Sequence, residues 1–204
     1  MKSVLNVLAV ILIISVSACG PERTNTEEKT EKKKNPVNYA NPELSVVKDG
    51  DAFVIKRYTS GLSLKAPADW EFGLFPQKDR AVIGAPCDSG AMCPLFFVAI
   101  NLDSTNAPLA QRLNTFKQEI YLGADSATIL NETLSYTVDG KPAFLLNYTY
   151  VYEGEKIAGT YVLVKHKETE EINFSILFPG VEGDNYKKYW KQAIVPVLKS
   201  VNIE

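Results

Sequence analysis

The stretch that most constrains this chain runs from Pro142 to His166, where two alternating apolar segments meet at Gly154-Glu155. A glycine followed by a polar residue suits a two-residue type II′ turn, whose twist matches that of paired strands, so the segment predicts a β-hairpin. That turn sets Glu153 opposite Lys156, Tyr152 opposite Ile157, Tyr148 opposite Tyr161 and Leu146 opposite Leu163. It also lays Tyr150 over Gly159, where an aromatic ring covers bare backbone. One face then carries Tyr148, Tyr150, Tyr152 and Tyr161, and the other Leu145, Val151, Val162 and Val164 with Asn147, Thr149 and Thr160. Apolar residues on both faces require a sheet covered, at least in part, on both sides.

The neighbouring segments extend this pattern. Asp139-Gly140 is a strong type I′ pair and joins a strand around Thr128 to Tyr136 with the one starting at Pro142. Asp49-Gly50 suggests another hairpin, between LSVV and AFVI, and further strands are expected at 61–65, 80–85, 95–101 and 172–178. In the last, Ile172, Phe174, Ile176 and Phe178 share one face. Residues 107–121 place Leu109, Leu113, Phe116 and Ile120 on one helical stripe, with Asn106 as cap, Pro108 in the first turn and Gly123 as stop. Near residue 184 an Asp can cap a second helix bearing Tyr186, Trp190, Ile194 and Val197, which Pro196 ends or kinks. Each helix has one apolar face and needs a sheet to lie on, so the expected class is α+β: a mostly antiparallel sheet flanked by helices, an α/β/α sandwich.

Three stretches carry a family resemblance. GLSLKAPADW (61–70), TVDGKPAFLLNYTY (137–150) and VLKSVNIE (197–204) resemble the opening strand, middle hairpin and closing helix-strand of the PsbP-like and DcrB-like lipoprotein domains. The resemblance implies their sandwich fold, found in membrane-associated assembly and accessory proteins. The matching positions are fold positions, so it carries over no functional residue.

The N-terminal region has a different character. Lys2 precedes an apolar run from Val7 to Ile14, and small residues surround Cys19. Counted from Val4 to Val16, the segment spans roughly 20 Å as a helix, short of the ~30 Å hydrocarbon core, and so reads as a secretory signal. Val16-Ser17-Ala18-Cys19 resembles the bacterial lipobox, which makes residues 1–18 a lipoprotein signal peptide and Cys19 the lipidated first residue of the mature chain. An ordinary export signal is the alternative. With two or three acyl chains the membrane is then a stable partner. Gly20, Pro21 and Glu22 follow with no Asp in the sorting position, which by the same resemblance favours the outer membrane, facing the periplasm, or the cell surface where there is one membrane. Between Cys19 and Pro42, four glutamates oppose Arg23 and four lysines, with Val37 the single large aliphatic residue, a composition that predicts a disordered tether. A lysine-rich contact with anionic lipid or peptidoglycan is the functional alternative.

Six of the 22 basic and four of the 24 acidic residues precede residue 43, leaving the domain at 43–204 with a charge of −4. That disfavours nucleic acid as a partner. Once Cys19 is lipidated, Cys87 and Cys93 remain, an even pair that reads as a disulfide closing a tight loop. A redox pair or half a metal site is the alternative, but the C-x5-C spacing matches neither a thioredoxin-like centre nor a complete zinc set, and no motif calls for a metal or cofactor. His166 stands alone between lysines in an expected polar turn, and no hydrolase or metalloprotease context surrounds it, so no catalytic residue is assigned. The Tyr148, Tyr150, Tyr152 and Tyr161 stripe has two readings: rings packed beneath a helix, or an exposed aromatic surface that grips a partner. These features point to a non-enzymatic, lipid-anchored accessory protein that docks on an envelope protein partner. The alternative is a carrier of a small apolar ligand or lipid held between sheet and helix.

Overall fold

Hairpin turns fix the sheet register. At Asp139-Gly140 both residues take positive φ, 50° and 70°, and Val138 pairs with Lys141, as type I′ geometry requires. At the next turn Glu153 and Gly154 have φ of 50° and 79°, so this loop is also type I′. The expected type II′ turn at Gly154-Glu155 is therefore displaced by one residue, and every partner moves by two. Tyr148 faces Gly159, Tyr150 faces Ile157, Tyr152 faces Glu155 and Leu146 faces Tyr161. An even shift keeps each side chain on its face, so the tyrosines stay together while their neighbours change. Near residue 50 the turn is Gly50-Asp51, with Asp49 paired to Ala52, again one residue from expectation.

The structure is a computed structural model and describes residues 42–84, 95–102, 105–179 and 190–204. Cys19, Cys87, Cys93, Asp184 and Tyr186 lie outside them. Strands β1 (Ser45–Asp49), β2 (Ala52–Arg57), β3 (Ser60–Lys65) and β11 (Asn202–Ile203) form a four-stranded sheet in the order β1-β2-β3-β11. A seven-stranded sheet, ordered β4-β5-β6-β10-β9-β8-β7, contains β4 (Glu71–Leu74), β5 (Ala81–Gly84), β6 (Leu95–Leu102), β7 (Ser126–Val138), β8 (Lys141–Tyr152), β9 (Glu155–Lys167) and β10 (Glu170–Pro179). All the pairings are antiparallel.

This arrangement corrects the α/β/α sandwich expected from sequence: the protein is mostly antiparallel sheet with few helices, and its second layer is itself a sheet. The face of the large sheet bearing Val98, Val162, Ile172 and Phe174 shares one core with Phe53, Ile55, Leu62 and Leu64 of the small sheet. The single antiparallel sheet expected from alternation would hold β1 to β3 together with the later strands. Instead they form a second sheet, and β11 completes it from the far end of the sequence, its Ile203 pairing with Leu62.

Helix α1 (Leu109–Gly123) buries Leu113, Phe116 and Ile120 as its periodicity predicts. Its N-cap is Pro108, which makes no side-chain cap hydrogen bond; Asn106 lies outside the helix at φ 45°. Near the C-terminus Trp190–Ile194 forms a π-helical turn that leads into α2 (Val195–Lys199). Pro196 sits in the first turn of α2, where no N–H donor is needed, and so begins this helix instead of ending it.

Candidate binding surface

The second face of the large sheet carries the tyrosines. Alternation along β8 puts Phe144, Leu146, Tyr148, Tyr150 and Tyr152 on one side, where their β9 neighbours are Gly159, Tyr161 and Leu163. Phe116 of α1 stacks on Tyr161 with ring centroids 3.7 Å apart at 18°, and meets Tyr148 edge-on at 6.1 Å. Tyr148 and Tyr150 stack at 5.8 Å. Tyr148 lies flat over Gly159: a Cβ there would fall 2.5 Å from the ring's Cζ. Tyr148 and Tyr150 are buried, while Tyr161 and Tyr152 are partly exposed.

Polar groups fix the edge of this aromatic layer. The Tyr161 hydroxyl donates to Asn173 Oδ1 at 2.6 Å. Arg112 of α1 forks onto Glu171 of β10, donating from Nε at 3.0 Å and from the terminal nitrogen at 2.8 Å. Glu171 is only 1% exposed, so this pair ties the helix to the sheet where a lone carboxylate would be costly. Lys117 adds an outer contact to Glu132 of β7 at 2.8 Å. Burial raises the Tyr161 hydroxyl above its ordinary range and Glu171 adds to the effect, with Arg112 opposing; burial alone raises Tyr150. Both hydroxyls stay protonated donors near neutral pH. Glu119 is also pushed up, by burial, against the pull of Arg112.

Exposed apolar side chains gather where α1 meets β7. Leu122 is 87% exposed and Tyr121 54%. Val151 accepts a hydrogen bond from the Asp125 N–H at 2.9 Å, which brings the helix end against the tip of the β8–β9 hairpin and Tyr152. Leu130 and Leu134 are exposed further along β7, at the two places where its register with β8 shifts. Sequence reasoning singled out Tyr152 but not Tyr121 or Leu122, because both fall just off the buried stripe of α1, and only the end of the helix reveals them as a pair.

A second polar cluster joins the two sheets. Ser60 Oγ donates to Glu170, accepts from Lys167 Nζ at 2.5 Å, and is 3% exposed. A serine beside a lysine can act as a nucleophile when substrate reaches it; here the hydroxyl is closed off and spans β3 and the β9–β10 turn. His166 lies within β9 and is partly buried, which corrects its expected place in a solvated turn. Among the described residues no group of three or more His, Cys, Asp or Glu side chains could hold a metal ion, and no helix is long and apolar enough to cross a membrane.

Fold and surface together define a two-sheet antiparallel sandwich with one long helix laid across an aromatic face. No protein-family model matches the sequence, and no curated protein matches it. Among solved structures, LpqN of Mycobacterium tuberculosis, described as involved in cell envelope biogenesis, is similar at a TM-score of 0.53 and 14% identity, over 80% of this chain and 91% of that one. The Ran-binding protein Mog1p of Saccharomyces cerevisiae gives 0.48 at 10% identity, covering 79% of this chain and 96% of that chain. Protein PA94 of Pseudomonas aeruginosa, of unknown function, gives 0.48 at 14%, covering 76% and 96%. The likeness to LpqN is one of fold.

Proposed function

We propose that this chain is a lipid-anchored envelope protein of non-enzymatic, binding type that docks on another envelope protein. The observation that carries the reading is Val16-Ser17-Ala18-Cys19, placed at the end of a short apolar run and followed by a charged, aliphatic-poor stretch. Cys19 takes the lipid, residues 20–42 act as a leash of ~25 to 30 Å average span, and the sandwich at 43–204 does the binding. Cys87 and Cys93 close the β5–β6 loop as a disulfide. The docking surface is centred on Tyr121, Leu122 and Tyr152, with the rest of the tyrosine stripe, buried Tyr148 and Tyr150 and partly exposed Tyr161, holding α1 in place beneath it. Aromatic and large aliphatic side chains presented together are the usual anchors of a protein interface. The involvement of LpqN, which shares the fold, in cell envelope biogenesis is in keeping with this reading.

Two measurements test it. Replacing Cys19 with Ala should move the protein from the detergent phase to the aqueous phase; unchanged partitioning removes the anchor. A photocrosslinker at residue 122 should capture a defined envelope protein in intact cells, and the capture should disappear when Tyr121 and Tyr152 are both changed to Ser while thermal melting is unchanged. A crosslinking pattern indifferent to those substitutions rejects the surface.

A further inference from the structure

The chain has a single histidine, and its position is unusual. Glu170 pairs with Lys167 and Glu171 with Lys165, so His166 is the extra residue of a β-bulge in β9. Among the described residues neither ring nitrogen has a hydrogen-bond partner, and both are shielded from water. The ring lies alongside the backbone of Glu204, immediately after β11. Lys167 of its own strand, Lys141 of β8 and Glu170 of β10 are the charged groups that act on it.

The segment it abuts is held by few bonds. Strand β11 pairs with β3 through only Asn202–Ser63 and Ile203–Leu62. The Ile203 N–H donates to Asp139 Oδ2 at 2.8 Å, the Glu204 N–H donates to Gly61 O at 3.0 Å, and Lys56 meets Glu204 at 3.3 Å. So short a strand belongs to the low-stability end of local opening.

We propose that His166 is an acid-operated latch on β11: a proton taken up by the ring places a cation beside Lys141 and Lys167 in a seat shielded from water, where Glu170 and the Glu204 backbone offset only part of the cost, and residues 202–204 lift away so that it reaches water. The opened latch leaves β3 with a free edge. Burial holds the imidazole below its ordinary value, both lysines push the same way, and Glu170 and the Glu204 backbone oppose them. The unfolded chain therefore takes up the proton first as pH falls. The latch is fully closed above about pH 6.5, the usual value for histidine, and opens as pH falls through the lower value of the folded state.

Because there is one histidine, its imidazole signal can be titrated directly by NMR while amide exchange is followed at Ile203 and Glu204. Between pH 7 and pH 5, after correction for intrinsic rates, exchange at those two amides should accelerate several-fold while Val162 and Phe174 in the central strands keep their protection. His166→Gln and His166→Leu should each abolish the acceleration, and Asp139→Asn should leave its midpoint unchanged. Constant protection of Ile203 and Glu204 down to pH 5, an acceleration that persists in both His166 variants, or one that vanishes in Asp139→Asn would overturn the proposal.

Discussion

The two faces of the seven-stranded sheet are built on different physical terms. Toward the small sheet, phenylalanine and branched aliphatics such as Phe174, Ile172 and Val162 are fully buried, and cohesion comes from area and close packing. Toward α1, the rings of Tyr148, Tyr150 and Tyr161 keep polar handles, and directional contacts fix one helix position: Arg112 forks onto Glu171, and Asn173 holds the Tyr161 ring on which Phe116 stacks. A large apolar contact tolerates small slides between layers. A single helix with three buried side chains needs bonds that specify where it stops.

The contrast predicts a ranked series of stability losses, measurable by chemical denaturation. Phe174→Ala removes a fully buried ring between the sheets and should cost ~3 to 5 kcal/mol. Glu171→Ala leaves Arg112 without its carboxylate; because the Arg112 side chain is 30% exposed, water recovers part of the loss, and about 2 kcal/mol is expected. Adding Arg112→Ala should cost little more, which a double-mutant cycle would register as coupling between the two. Gly159→Ala drives a methyl into the Tyr148 ring and should cost about 1 to 3 kcal/mol, less in a Tyr148→Ala background. Tyr161→Phe removes one hydrogen bond and keeps the stack on Phe116, for a loss of about 1 kcal/mol. If Phe174→Ala proved no more damaging than Tyr161→Phe, the division between the faces would fail.

Much of this was readable from local chemistry. Asp139-Gly140 specified its turn because both residues accept positive φ, and the alternation of Ile172, Phe174, Ile176 and Phe178 marked a buried face. Gly154 was ambiguous: glycine can stand first in a type II′ loop or second in a type I′ loop, and the second requires Glu153 at φ 50°, which its side chain does not advertise. The division into two sheets was hidden for a different reason. Alternation shows that a strand has an apolar side but not which layer that side meets, and the pairing that completes the small sheet joins Leu62 to Ile203 across most of the sequence. At the surface, the buried tyrosines announced themselves by period two, whereas Tyr121 and Leu122 acquire meaning only at the junction of α1 and β7.

The pairing of β11 with β3 also bears on the order in which the protein can assemble. Strands β1 to β3 emerge early, yet their sheet gains its fourth strand only after the whole of the larger sheet and α2 have been made. Loop closure over such a span is a late and slow event, because its entropy is spent before any contact repays it. During synthesis, β3 therefore waits with an unpaired edge, and the core between the layers is sealed last, by residues 201–203.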